Sequence, residues 1–471
     1  MHQAKKTNID MINGPILSGM IRYAIPVMLA SIMSLIYNSA DLIVVGKCAE
    51  TVELGKEYLA AVSASSAIIT FLSCFTTGLS MGSTVRTSKL LGEQNVEKAK
   101  ECTHTAVLVA LIIGTFIGAI GVIFAKPFLS MTNCPEQIFD NAAKYLMIYL
   151  CGCPFHTLYT FLASQTRAMG DSKTPFWVLT VSGIINIFMN LFAVLVLKMG
   201  VAGVALATVA SQTFSAVIMV IFFLRKKNPL RIEISKLRIH MDALLDMMRI
   251  GIPASVASIL FSLSKVFIQA VTNSFPMEAI AGTSVQSNLA TYEYVGITGT
   301  TQACLVYISS NFGAKKPERI KKIVNYSILL VTAFCLVVSA LIILLRKPLI
   351  SIFNTDPEVI RYAGIRIFIV TGGYFACGLM NVGEIVNHGL NHSMESSILS
   401  LVFGGGFRVL YVFTICQWFH EFWVLCFALP ISWVFTFIVQ YILYRKIIGK
   451  FEKELLVNPS EVPAKESFHG Q

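Results

Sequence analysis

The chain has 471 residues, of which 55% are hydrophobic and only 13% are charged. A soluble globular domain carries about 25% charged residues, so this composition excludes an ordinary soluble protein. The formal net charge is +11. In a chain rich in apolar runs, we attribute that charge to membrane orientation and contact with lipid headgroups, and we expect no nucleic-acid partner.

Twelve apolar runs are long enough to cross a bilayer as α-helices. They predict an all-α, polytopic membrane protein with twelve transmembrane helices. The predicted spans lie near 21–46, 58–84, 103–125, 143–165, 175–197, 200–224, 247–271, 279–306, 324–345, 364–386, 394–416 and 421–444.

Lysine and arginine are concentrated on one side of these spans. We assign 26 of the 37 basic residues to the side that holds both termini, with clusters in 225–249 and 315–322. The positive-inside rule therefore predicts a multi-pass protein of the cell (inner or plasma) membrane with both termini cytoplasmic.

The second half of the chain repeats the first in one constant register. AAVSASS (60–66) aligns with AGTSVQS (281–287), and at the same offset SKLLGEQNVEKAK (88–100) aligns with SSNFGAKKPERIK (309–321). The first span of each half aligns only after a short shift of this register, with Pro26 on Pro253. An even number of spans in each copy predicts two pseudo-symmetric six-helix lobes related by an axis along the membrane normal.

The repeat also predicts the domain boundaries. The segment at 225–246 is charged and contains Pro229, which indicates a linker rather than a span. The expected parts are a cytoplasmic N-terminus (1–20), an N-terminal lobe (21–224), a cytoplasmic linker (225–246), a C-terminal lobe (247–444) and a cytoplasmic tail (445–471).

Several motifs resemble those of the multidrug and toxic compound extrusion (MATE) transporters. They are YNSADLIVVG on span one, LAAVSASS opening span two, MGSTVRTSKLLGEQNVEKAK after it, SQTRAMGDSKTP between spans four and five, and GVAGVALATVASQ on span six. The resemblance covers essentially the whole chain in the right order. It implies export of organic, often cationic, compounds driven by Na⁺ or H⁺. Span seven lacks the glutamate that some members carry after the proline, so no coupling site is transferred to that lobe.

Asp41 is an isolated carboxylate within the first span. It lies about 8–10 Å along a helix from Lys47, still inside the bilayer. Ionisable residues inside a membrane are rare and mark functional sites, although an aspartate near the interface can also extend its side chain towards water. We predict that Asp41 binds the coupling ion, as a sodium ligand if the protein is sodium-coupled. Tyr37, one turn earlier, is expected to brace it through a hydrogen bond.

Polar residues on two later spans complete the predicted ion site. Asn186 and Asn190 are four apart on span five and so share a helix face. In the resembling family, polar residues at these places and at Thr208 of span six surround the first-helix aspartate. Their oxygens suit a small hard cation, and amides cannot relay protons, which favours Na⁺ slightly over H⁺. Interhelical hydrogen bonding is the alternative role, above all for Thr208.

Two prolines and four charges in the second half need separate explanations. Pro26 and Pro253 interrupt the first span of each half and predict hinges. The charged residues lie inside apolar runs and predict a paired network, structural or ion-responsive: Lys265, Glu293, Glu384 and Arg408.

These features favour a secondary active antiporter that exports amphipathic, often cationic, compounds by alternating access and functions as a monomer. The GLSMG sequence at 78–82 lies inside a predicted helix, so close helix packing explains it better than a serine nucleophile. No phosphate loop or HExxH motif is present, so we expect a transporter without a cofactor rather than an enzyme. A flippase for lipid-linked saccharides, of the same wider superfamily, is the alternative.

Overall fold

The computed structural model describes residues 9–48, 51–132 and 134–457. Those residues form seventeen α-helices and no β-strand. In chain order they are α1 (Ile16–Lys47), α2 (Val52–Gly92), α3 (Val96–Met131), α4 (Glu136–Cys151), α5 (Cys153–Ala168), α6 (Lys173–Leu191), α7 (Gly200–Leu224), α8 (Met241–Thr272), α9 (Met277–Gly313), α10 (Pro317–Leu344), α11 (Arg346–Ser351), α12 (Pro357–Arg366), α13 (Tyr374–Gly389), α14 (Ser393–Leu399), α15 (Phe407–Phe413), α16 (Ile415–Trp418) and α17 (Phe422–Val457).

Each predicted span coincides with a long helix or with helices in series. By length and hydropathy, ten continuous helical segments of the described chain can cross a membrane, and the pair α4–α5, bent by 48°, forms an eleventh. The predicted eighth span lies in α9, whose 37 residues also exceed a bilayer's thickness. The prediction of an all-α, twelve-helix membrane protein is confirmed. The most polar ends of the chain, 1–8 and 458–471, lie outside the described residues.

Most helices continue beyond the predicted hydrocarbon core. The second predicted span, 58–84, lies within α2, which runs from Val52 to Gly92. Two spans of the second half contain π-helical segments, at Ile367–Thr371 and Ser400–Gly406. A π turn removes the regular hydrogen-bond pattern locally, and such turns occur frequently at functional sites.

The described residues form two compact units. The first contains 25–87 and 96–255, and the second contains 9–24, 88–95 and 256–457. In the first unit, buried side chains of α1, α2, α3, α4 and α7 form a continuous apolar core. The second unit has separate apolar clusters, one around α15 and the start of α17 and one joining α9 to α10 and α12.

The repeat found in the sequence recurs in the backbone. α2 and α9 end in the same way, because Gln94 and Lys315, which align in the repeat register, both adopt positive φ. α5 and α13 also end alike, with positive φ at the aligned residues Gly170 and Asn391. At both pairs of helix ends, the backbone N–H groups after the last turn donate to carbonyls at aligned positions of the two repeats. This agreement supports the register that the sequence indicated.

Glycines let α2 and α8 pack closely in the first unit. A Cβ atom on Gly82 would overlap the carbonyl oxygen of Met247, and one on Gly78 would overlap Ser255. The Ser255 hydroxyl donates to the carbonyl of Phe75 at 2.9 Å. The GLSMG sequence is therefore a packing motif of small residues, as expected for helices that meet inside a membrane.

A second close contact joins the ends of α2 and α9, both within the second unit. A Cβ on Gly92 would overlap the carbonyl oxygen of Ser310, and a Cβ on Gly313 would overlap that of Lys89. Gly92 aligns with Gly313 in the repeat register, and Lys89 aligns with Ser310. Each repeat thus contributes the same glycine and the same carbonyl to one reciprocal contact.

Candidate functional site

Asp41 is buried in the first unit without a cationic partner. It lies in the last third of α1, and 7% of its surface is exposed. Within the described part of the chain, no lysine, arginine or histidine forms an ion pair with it. A buried carboxylate without a counter-charge is unfavourable in a membrane, so its surroundings must stabilise it by other means.

Asn190 supplies the hydrogen bond that Asp41 receives. Its Nδ2 group donates to Oδ1 of Asp41 and also, at 3.1 Å, to Oδ1 of Asn186. Asn190 is fully buried, and Asn186 is 2% exposed. The two asparagines share one face of α6, because residues four apart are neighbours on a helix. The structure therefore brings these three predicted site residues together.

Thr208 lies beside this group on α7. Its side chain is within interaction distance of the Asp41 carboxyl group, and its hydroxyl hydrogen goes to the carbonyl of Val204 at 3.0 Å. Because that hydrogen is used locally, the hydroxyl oxygen keeps its lone pairs for another partner.

Tyr37 does not brace Asp41 in the way we expected. Its hydroxyl accepts a hydrogen bond from Ser34 at 3.0 Å, and its ring packs over Gly183 of α6. No hydrogen bond joins it to Asp41 within the ranges that the structure describes. Tyr37 is nevertheless close enough to interact electrostatically with the carboxylate, so it forms part of the site's wall.

One buried oxygen at this site has no partner. Oδ1 of Asn190 is inaccessible to solvent and accepts no hydrogen bond from the described residues. Together with the carboxylate of Asp41 and the hydroxyl of Thr208, it gives a set of oxygen atoms of the kind that hard cations prefer. The described residues contain no cluster of three His, Cys, Asp or Glu side chains that could hold a transition metal. The oxygen set suits Na⁺, and the carboxylate alone suits H⁺.

Tyrosines near Asp41 were missed by the sequence analysis. Tyr145 is 5% exposed and interacts electrostatically with Asp41, and it stacks on Tyr149 with ring centres 6.4 Å apart. The two tyrosines are four residues apart on α4. That spacing is a signal that could have identified a shared face of this predicted span.

Both predicted hinge residues lie inside helices. Pro26 is within α1 and Pro253 is within α8. Each lies within two residues of the point where its helix leaves one compact unit for the other, after Ala24 in α1 and after Ser255 in α8. A proline in a helix removes a backbone hydrogen bond and favours bending. The hinge assignment stays a prediction.

In the second unit, Arg408 is bound by hydroxyl groups rather than by an acid. The side chain is 1% exposed. Its Nε donates to Ser432 at 2.8 Å and its Nη1 donates to Ser264 at 3.3 Å. The guanidinium carbon lies 4.2 Å from the ring centre of Phe261, a cation–π contact. The predicted pairing of Arg408 with a glutamate is therefore wrong for the residues that the structure describes.

The two glutamates of the predicted network have other partners. Glu293 is fully buried and accepts a hydrogen bond from Ser339 at 2.7 Å. Glu384 lies 3.5 Å from Nε2 of His388, four residues later on α13. Lys265 is exposed on α8 and interacts electrostatically with Cys377. Among the described residues, the short-range partners of Arg408, Glu293 and Glu384 are thus serines and a histidine, and no ion pair joins Arg408 to either glutamate.

A second buried arginine was missed by the sequence analysis. Arg366 is 4% exposed, and its Nε donates to Gln286 at 3.1 Å. The predicted span 364–386 contains it near its start, but the sequence analysis gave it no role. The helix begins earlier, at Pro357, so Arg366 is two turns inside it.

Comparison with known proteins agrees with this geometry. The MatE family model matches residues 26–192 and 253–414, two copies that begin at the repeat-related prolines and together cover more than half of the chain. The probable multidrug resistance protein YoeA of Bacillus subtilis is 28% identical over 76% of this chain and 77% of its own. The FAD transporter of Shewanella oneidensis is 22% identical over 84% of this chain and 87% of its own.

Solved structures show the same fold. A MOP superfamily transporter from Pyrococcus furiosus superposes with a TM-score of 0.87, at 18% identity, over 95% of this chain and 100% of that one. The two-copy family match and the two-lobed helical fold confirm the predicted resemblance. The chain belongs to the MatE family and is a multi-pass membrane transporter rather than an enzyme.

Proposed function

We propose that this protein is a secondary active antiporter that exports amphipathic organic compounds, cationic ones among them, in exchange for Na⁺ or H⁺. The observation that carries the proposal is the buried carboxylate of Asp41, paired only with neutral polar groups of α6 and α7. A cation that binds there neutralises the buried charge, so its binding and release change the free energy of the site substantially.

This arrangement supports ion coupling by alternating access. An ion drives a conformational change only if it binds two states with different affinities. The amide of Asn190 donates to the carboxylate of Asp41, and the Oδ1 atom of Asn190 has no partner among the described residues. The affinity for the ion differs between two states if these oxygens converge in one state and separate in the other. Pro26, on the same helix as Asp41, is the place where α1 can bend in response.

The rest of the proposal concerns assembly and orientation. All proposed ligands of the ion come from one unit of one chain, which supports function as a monomer. The excess of lysine and arginine on one side supports cytoplasmic termini and residence in the cell membrane. Drug-resistance functions named for related proteins, such as YoeA, support small organic compounds as substrates.

Efflux from proteoliposomes tests the function. Wild-type protein should export a fluorescent organic cation when a Na⁺ or a pH gradient is imposed separately, and one of the two gradients should suffice. Asp41→Asn preserves the shape of the side chain and its bond to Asn190 but removes the charge, so gradient-driven efflux should stop. Asp140→Asn, the same change at an exposed aspartate of α4, is the matched control and should retain efflux.

Two results would overturn the proposal. One is Asp41→Asn protein that still exports the cation at the wild-type rate under either gradient. The other is wild-type protein, correctly folded and inserted, that responds to neither gradient.

A further inference from the structure

The segment at 233–240, in the linker between the repeats, is held at both ends by adjacent residues of α3. At its start, the backbone N–H of Glu233 donates to Nε2 of His104 at 3.1 Å. At its end, the backbone N–H of His240 donates to the hydroxyl of Thr105 at 3.0 Å. All of these residues belong to the first unit. The two contacts therefore close a loop, the 233–240 loop, against the first part of α3.

The 233–240 loop has no buried residue to keep it in place. Each of its residues is exposed or half-buried, and Ile234 is 73% exposed. The residues just before it differ, since Leu230 is fully buried and Ile232 is 5% exposed. Burial of apolar surface thus anchors the linker as far as Ile232. Beyond that residue, polar contacts hold the chain on α3.

His104 can hold the start of the loop only in its neutral form. Its Nε2 atom accepts the hydrogen of Glu233, which places the hydrogen of the neutral ring on Nδ1, and the ring also interacts with the carbonyl of Arg231. A proton on Nε2 would face the N–H of Glu233, and both groups would then be donors. Because His104 is 5% exposed, water cannot easily replace the lost partner. Protonation of the ring therefore removes this contact.

The charged and titratable groups around His104 come from the linker and from α3. The linker contributes Arg231, Glu233, Lys236, Arg238 and His240, and α3 contributes Glu97, Lys100 and Glu101. Glu233 is already paired with Lys236 at 2.9 Å. Among the described residues, no carboxylate lies within ion-pair distance of His104, so no ion pair compensates the loss of the contact with Glu233.

We propose that His104 is a proton-operated latch, which holds the 233–240 loop on α3 when neutral and releases it when protonated. Histidine is the side chain whose charge ordinarily changes between pH 5 and pH 8. The loop leads directly into α8, which begins at Met241 and whose Asp246 pairs with Arg86 of α2. Release lengthens the free chain before α8, so the pH on the linker's side of the membrane regulates the mobility of that helix start. This regulation is separate from the proposed ion site.

The size of the effect follows from the fraction of neutral histidine. A free histidine has a pKa of about 6.5, so about 90% of it is neutral at pH 7.5 and about 3% at pH 5. If only the neutral ring holds the loop, the equilibrium between the held and the released loop shifts by up to about thirtyfold over this range.

Hydrogen–deuterium exchange of the full-length protein in nanodiscs tests the latch. Both faces of a nanodisc meet the same pH, so the result does not depend on orientation. The readout is the protection of the loop amides that donate hydrogen bonds, corrected for the intrinsic pH dependence of exchange: Glu233, Lys236, Leu237 and His240. Between pH 7.5 and pH 5, this protection should fall by about tenfold to thirtyfold in wild-type protein. Protection in the middle of α7 should not fall.

Two substitutions at His104 separate the proton from the ring. His104→Gln supplies an amide oxygen that accepts the hydrogen of Glu233 and does not titrate, so protection should stay high at both pH values. His104→Leu has no acceptor, so protection should be low at both. His156→Gln changes another histidine of the first unit, on α5, and is the matched control that should respond as wild type does. A wild-type response in folded His104→Gln protein would overturn the proposal.

His240 is the competing candidate for the titrating group. Its ring lies 3.6 Å from the carboxylate of Glu101, but its backbone holds the loop. His240→Gln should therefore keep the pH response. Loss of the response in His240→Gln, with retention in His104→Gln, would assign the switch to His240 and overturn the assignment to His104.

Two further measurements keep the test decisive. If the His104 variants do not fold, constant protection of the loop between pH 7.5 and pH 5 in wild-type protein would overturn the proposal, whereas a fall that His240→Gln retains would support it. Asp41→Asn protein should release the loop as wild type does. Failure of ion coupling and failure of the latch therefore give different results.

Discussion

Replacement of Asn190 by leucine tests the ion site more specifically than loss of the carboxylate. Leucine has nearly the same shape as asparagine but can neither donate to Asp41 nor offer Oδ1 to a cation. The variant removes the charge-assisted hydrogen bond to Asp41 and the 3.1 Å bond to Asn186. It also removes the buried oxygen that has no partner.

The expected change in stability is small because these effects oppose one another. Loss of a bond to a charged group costs about 1.5–3 kcal/mol, and loss of a neutral bond costs about 0.5–1.5 kcal/mol. Removal of a buried carbonyl that has no hydrogen-bond partner stabilises the folded protein by about 1–3 kcal/mol. The free energy of unfolding should therefore fall by about 1 kcal/mol, and by no more than about 3.5 kcal/mol.

The effect on ion binding should be larger. Without Asn190 the cation loses one oxygen ligand, and the carboxylate of Asp41 loses the amide that orients it. We expect the cation concentration at half-maximal effect to rise about tenfold or more, equivalent to about 1.4 kcal/mol. The assay is the thermal midpoint of purified protein as a function of Na⁺ at constant ionic strength and as a function of pH, since a ligand of the folded state raises that midpoint.

A control separates ion binding from general loss of structure. Asn387→Leu removes a fully buried amide of the second unit that donates to Gly383 and twice to Gln440. Oδ1 of Asn387 is also buried without a partner among the described residues, so this variant should lose a similar amount of stability. It should keep the wild-type dependence on cations. A wild-type cation dependence in Asn190→Leu would refute the assignment of Asn190 to the site.

Three other predictions concern packing and buried charge. The side chains of Arg86 and Asp246 meet at 2.9 Å. A double-mutant cycle of Arg86→Met and Asp246→Asn should give a coupling energy of about 0.2–1 kcal/mol in unfolding experiments. Zero coupling would exclude a stabilising ion pair. Gly82→Ala should destabilise the protein by about 1–3 kcal/mol because its Cβ would overlap a backbone carbonyl of α8. Gly449→Ala is the control and should not destabilise the protein, because open space surrounds that glycine. Glu293→Gln removes a fully buried carboxylate with one oxygen that has no partner among the described residues. The variant should therefore keep or raise the thermal midpoint of unfolding at neutral pH. A clear decrease would show that the charge itself is stabilising.

Helix positions were predictable because their signal is long and repeated. Apolar runs of membrane length located the spans, and the constant register that aligns Gly92 with Gly313 recurs in the backbone. The ends were less predictable, since hydropathy reports the hydrocarbon core and helices such as α2 continue into the polar regions on both sides. Arg366 illustrates this, because the predicted span begins at 364 whereas the helix begins at Pro357, so the arginine is two turns inside the helix.

The candidate ion site was predictable in part. Asp41, Asn186 and Asn190 were selected because polar residues are rare in spans, and the structure brings them into contact. Their role in coupling stays a prediction. Tyr37 lies near them, but its hydroxyl bonds Ser34, because the choice among nearby acceptors depends on side-chain rotamers that the sequence does not specify.

Charge pairing in the second half was less predictable. Opposite charges in apolar runs suggested mutual neutralisation, but Arg408 takes serines of α8 and α17 as partners. Serine is common in membrane helices and carries no long-range signal of its own. Glu384 and His388, by contrast, are four residues apart on α13, so their contact follows from helix geometry and could have been found in advance.

The reciprocal contact of Gly92 with Ser310, and of Gly313 with Lys89, has a consequence for the origin of the chain. Contacts in which surface i meets j and j meets i are the mark of an isologous interface, the kind that joins two identical subunits about a two-fold axis. A single six-helix ancestor with this glycine could have formed a homodimer through the same surface. Fusion of two gene copies would then have preserved the interface. Each copy would have been free to diverge, giving a first half with the buried Asp41 and a second half with the buried Glu293, Arg366 and Arg408.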